Sequence, residues 1–145
     1  MRGATPEQYH LARWLLAHEA GNLPNRDAAA EAAEVVHRKL RQPLARLLGP
    51  AGFDALLLRA LDLSVSQFPF LKGIGPAQQR EGLFLGGAAQ GHDPHHLAEG
   101  FATLFAHLLW LLATFIGEDL AWQQVAMVWP EAPLDSKSGG GETKE

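Results

Sequence analysis

The side chains in this sequence whose types and spacing could do chemistry gather first around residues 92 to 99. His92, His95 and His96 stand there with Asp93 and Glu99, and imidazoles and carboxylates at short spacing can bind zinc, nickel or copper. The spacing suits a helical metal site poorly. His92 precedes the expected helix cap at Asp93, and His95 and His96, being adjacent, diverge by about 100° on a helix. Surface histidines near a helix start are the expectation, with His92, His96 and His107 kept as the candidate ligands and no metal or cofactor required by the pattern.

His107 lies in the most apolar stretch of the chain, between Phe105 and Trp110. It could ligate haem, carry a proton, or sit in the core bonded to a carboxylate or carbonyl. The last role is the expected one, because aromatic neighbours at helical spacing also describe ordinary packing.

Nucleophilic catalysis has little material. Serine occurs only at positions 64, 66, 136 and 138, none in a strand-turn-helix elbow. Cysteine is absent, which excludes thiol nucleophiles, thiolate metal sites and disulfides and makes the cytoplasm the expected compartment. Glu118 and Asp119 are adjacent, so a helix directs them apart rather than across a substrate, and helix-start electrostatics is their expected role. No catalytic residue is assigned, and a protein without enzymatic activity is expected.

The aromatic residues are the remaining candidates, as core packing first and as a binding surface second. Phe101, Phe105, Trp110, Phe115, Trp122 and Trp129 form the candidate ligand or partner surface, since aromatic side chains dominate buried anchors at interfaces. Trp14 stands with His10 and His18 at four-residue steps on the first helix, on the side away from its leucines.

These residues must be positioned by helices. The chain has 145 residues, 47% hydrophobic and 19% charged, enough to bury one sizeable core. Thr5 as cap and Pro6 at the first helical position start a helix to Ala20, with Leu11, Ala12, Leu15 and Leu16 inward. Gly21, Asn22 and Pro24 are expected to end it, by a left-handed position and a residue that cannot continue the ladder. A second helix runs from Asn25 or Arg26 to about Gln42, its stripe being Ala28, Ala32, Val35, Val36 and Leu40. Pro43 should stop it and leave Leu44 to Leu48 as a separate turn.

Gly49, Pro50 and Gly52 introduce a third helix, Ala51 to Ser66, facing the core through Phe53, Leu56, Leu57, Ala60, Leu61 and Val65. A loop follows from Gln67 to Pro76. A fourth helix is expected from Pro76 to Gln90, weakened by Gly82, Gly86 and Gly87 at about 1 kcal/mol each, with a flap as the alternative.

Asp93 and Pro94 begin a helix that is apolar almost all round to Ile116 and therefore central. Its tightest run, Phe101 to Ile116, would be about 24 Å long against a hydrocarbon core of about 30 Å, and no Lys or Arg flanks it, so no membrane span is expected. Gly117 closes it, and a last helix carries Leu120, Trp122, Val125, Ala126 and Trp129 to a stop at Pro130. Residues 131–145 read as a flexible tail.

The fold expected is an all-α single-domain bundle of five to six helices, residues 1–130, around the helix 94–116. Net charge is -4, which disfavours nucleic acid. The basic run His37, Arg38, Lys39, Arg41 and Arg46 is expected to be a solvated helix end. The first fifteen residues hold Glu7, Gln8, His10 and Arg13, so no secretory leader is expected.

Two segments, Phe115-Ile116-Gly117-Glu118-Asp119-Leu120 with Trp129-Pro130, and Gly49 to Leu57, resemble a family of small uncharacterised all-helical bacterial proteins. The resemblance implies helices and a bacterial source, and no activity. A noncatalytic interaction or regulatory module is the expected function, with a protein partner or a homodimer. A small apolar-ligand sensor, its cavity lined by Phe101, Phe105, Trp110 and Phe115, is the alternative, and histidine-based metal or haem binding is a third reading.

Overall fold

In the computed structural model, which describes residues 4–21, 28–76, 83–84 and 93–133, the protein is an all-α bundle. Its elements are α1 (Pro6–Ala20), α2 (Ala28–Leu48), α3 (Pro50–Val65), α4 (Pro94–Ile116) and α5 (Glu118–Val128), with a 3-10 turn at Pro69–Gly73 between α3 and α4.

The local starts are chemical. At α1, the Thr5 hydroxyl accepts from the Gln8 amide at 3.2 Å and the Gln8 side chain accepts from the Thr5 amide at 2.8 Å, a reciprocal capping box that satisfies two otherwise orphaned donors. At α4, the Asp93 carboxylate accepts from the His95 and His96 amides. Gly117 ends α4 and begins α5 with φ 92°, a backbone that an L side chain rarely adopts. That one residue makes the turn between the two helices.

The α4 helix touches all four other helices. It is long and apolar enough to cross a membrane by length and composition, yet 61% of its most apolar window is buried inside the bundle. Phe101, Leu104, Phe105, Leu108 and Leu109 have no accessible surface, and burial of each such side chain contributes about 1.5–3 kcal/mol. Leu11, Leu15, Leu40, Phe53, Leu57 and Leu71 close the core from the surrounding elements.

Four expectations change. Pro43 does not break α2, which continues to Leu48. Leu40 and Leu44 flank it on one face, both without accessible surface, and their shared burial holds the helix through a residue that cannot donate to the Lys39 carbonyl. Val35 is only half-buried, while His37 is wholly buried on the stripe shared by Ala33, Leu40 and Leu44. Gly21 is right-handed, φ -62°, and its amide closes the helix by donating to the Ala17 carbonyl.

The fourth change concerns Pro76 to Gln90. Gly75–Pro76 pairs antiparallel with Leu83–Phe84, so no continuous helix runs through those positions. Pro76 has no backbone N–H to give to a helical ladder, which favours extended backbone at that position. Gly82, Gly86, Gly87 and Gln90 lie outside the described residues, as do Asn25, Arg26 and the tail from residue 134.

Candidate functional site

The histidines expected as ligands are scattered. His92 lies outside the described residues. His95 and His96 are exposed at the start of α4, the His96 ring lying 5.2 Å from Phe68 and 5.5 Å from Phe70. Glu99 forms a 3.0 Å ion pair with Arg13 of α1; the Arg13 hydrogen bond holds the Glu99 carboxyl below its ordinary value. Among the described residues, no group of three or more His, Asp or Glu side chains is placed to hold a metal ion.

His107 is buried against α3. Its Nδ1 lies 3.0 Å from the Ser64 hydroxyl oxygen, and that hydroxyl donates to the Ala60 carbonyl at 2.8 Å. A hydroxyl has one proton, so Ser64 given over to Ala60 can only accept from the imidazole. The pair has the wrong polarity for nucleophile activation, and Ser64 has no accessible surface. Burial pushes the imidazole below the ordinary histidine value, against a Thr103 backbone bond that favours its protonation. Tyr9 meets the ring edge-on at 6.2 Å. These contacts are those of a core histidine.

The basic run of α2 is largely spoken for inside the molecule. His37 has no accessible surface, and neither ring nitrogen has a hydrogen-bond partner. Its neighbour Phe53 lies 5.7 Å away. Desolvation first, then the Arg41 and Arg38 charges, drive its value down to about 4, with Asp54 opposing. Arg41 pairs with Asp54 at 3.3 Å.

Lys39 reaches the nearly buried Glu19 of α1 at 2.7 Å, and the Trp129 indole donates to the same carboxylate oxygen at 2.8 Å. Burial alone would raise the Glu19 carboxyl; the Lys39 and Trp129 bonds outweigh it and hold the value low. The sequence reading missed His37 and Glu19 as interior groups. His37 was legible in principle, since it falls seven residues before Leu44 on the apolar stripe. Glu19 had no such signal.

The six aromatic residues divide between interior and surface. Phe101 and Phe105 are wholly buried, Phe101 meeting Phe70 edge-on at 5.6 Å. Trp129 is 2% exposed. Trp110 and Trp122 are half-buried, and Phe115 is 70% exposed. They are spread from core to solvent rather than arranged around one space. On α1, Trp14 stacks on His18 at 4.7 Å, while His10 is exposed.

Met127, on the last turn of α5, is 67% exposed and joins Phe115 as a large apolar side chain left to water. A groove of about 480 Å³ lies elsewhere, between α3 and the 3-10 turn, walled by Leu58, Val65, Leu71 and Ile74 and edged by Arg59, Asp62 and Lys72.

Comparison with protein-family models, with curated proteins and with solved structures returned no match. The chain's own residues therefore carry the functional reading.

Proposed function

We propose that the protein is a noncatalytic helical interaction or regulatory module that engages a protein partner through the outer side of α5 and the last turns of α4. The supporting observation is that this part of the bundle leaves Phe115 and Met127 exposed at 70% and 67%, with Trp110 and Trp122 half-buried beside them in sequence. Large flexible and aromatic side chains in water are what an interface withdraws from it. A bacterial cytoplasm is the proposed setting, supported by the cysteine-free composition.

The test is capture with the native chain and with the variant Phe115→Asp, Met127→Asp, followed by mass spectrometry, alongside light scattering. One protein retained by the native chain and lost with the variant, at unchanged melting temperature, supports the reading. Capture that is identical for both, in a chain that is monomeric with and without the substitutions, contradicts it.

A second reading, a small apolar-ligand sensor, is favoured by the groove between α3 and the 3-10 turn, where Leu58 is 52% exposed. Organic extraction of the purified protein tests it. A bound apolar molecule absent from Leu58→Glu supports this reading, and no extractable molecule counts against it.

A further inference from the structure

Taking the interaction reading as its basis, we propose that the corner where α4 turns into α5 docks a basic amphipathic segment of a partner protein. The corner is built by Gly117, whose missing side chain would meet nothing within 4 Å, so the turn stands clear of the bundle. On one side of it, the last turn of α4 presents Phe115, 70% exposed. On the other, the first turn of α5 presents Glu118 and Asp119, both exposed.

Among the described residues, neither carboxylate caps α5, which has no side-chain cap bond, and neither takes part in the ion pairs that join Arg13 to Glu99, Lys39 to Glu19 and Arg41 to Asp54. Half-buried Trp122 stands four residues after Glu118 and three after Asp119, so each acid lies one turn from its ring, the two flanking it about 100° apart. Neither α4 nor α5 supplies a neutralising Lys or Arg, since none occurs between Arg80 and Lys137.

Two exposed carboxylates flanked by an exposed phenylalanine and a half-buried indole select a partner with the opposite pattern. Its apolar stripe would cover Phe115 and Trp122, and its Lys or Arg residues would meet Glu118 and Asp119. A second copy of this chain is disfavoured, because a two-fold contact through the corner would bring the same carboxylates face to face. An anionic lipid surface is disfavoured by the same charge.

The experiment titrates the full chain with a synthetic amphipathic helix of Leu and Lys and with its Leu and Glu counterpart, read by calorimetry, and measures the free chain by light scattering. The Leu and Lys peptide is expected to bind and the Leu and Glu peptide not to. Phe115→Asp, and separately Glu118→Lys with Asp119→Lys, are each expected to weaken that binding by about tenfold or more without changing the melting temperature. Binding that survives the charge reversal overturns the proposal while leaving the interaction reading intact. So does a free chain that is dimeric and becomes monomeric with Phe115→Asp, since the occupant is then a second copy. If Phe115→Asp alters neither peptide binding nor self-association, the interaction reading falls with the proposal.

Discussion

The Trp129 indole donates a 2.8 Å hydrogen bond to the Glu19 carboxylate, joining residues 110 positions apart. The same oxygen accepts from Lys39 at 2.7 Å, so one buried carboxylate ties the end of α5 to α1 and α2. Trp129→Phe keeps most of the ring and removes the donor, and should cost about 1–3 kcal/mol by chemical denaturation. Glu19 adds an acid dependence. Its folded value lies below the ordinary 4.5, so its contribution is complete above that value and is lost as pH falls through the lower folded one.

His37 makes a separate acid dependence at higher pH. Its folded value of about 4 lies below the ordinary 6.5, so the unfolded chain binds the extra proton between those values. Stability should fall from pH 6.5 to about 4, by on the order of 3 kcal/mol in all. His37→Leu removes a buried imidazole with two unpartnered nitrogens. Across this window the variant should melt higher, by a margin that widens as pH falls from 6.5 to about 4. Parallel curves would contradict the assignment.

Gly100 is where the Phe70 ring crosses α4. A side-chain carbon there would lie 2.4 Å from Phe70 Cζ, closer than atoms can approach. Gly100→Ala should therefore destabilise by about 1–3 kcal/mol, despite alanine's helix advantage of about 1 kcal/mol. In a Phe70→Ala background the cost should shrink to that of the remaining 3.3 Å approach to Phe68, and a double-mutant cycle in denaturant reads the change.

Pro43 interrupts the hydrogen-bond ladder inside α2. Pro43→Ala returns an amide to the Lys39 carbonyl, a gain opposed by the greater freedom of the unfolded chain. A net gain of about 1–2 kcal/mol is expected, with a higher melting temperature as its readout.

The elements legible in the sequence were those with strong local punctuation. Thr5-Pro6, Asp93-Pro94 and Gly117 set the starts of α1, α4 and α5, and the unbroken apolar run to Ile116 identified the central helix. Pro43 was misleading because its local veto is overridden by Leu40 and Leu44, which only the assembled core can show. The aromatic residues were legible as a group but not individually. Phe105 and Phe115 lie on the same apolar helix, yet one is wholly buried in its middle and the other 70% exposed in its last turn. The Glu19 contact joins distant parts of the chain, and no periodicity encodes it.

The most direct test of the interaction surface places a photo-reactive phenylalanine analogue at position 115 in cells, and at position 58 as an exposed control on α3. A protein adduct is expected from position 115 and none from position 58. Adducts of equal yield from both positions, or from position 58 alone, would contradict it.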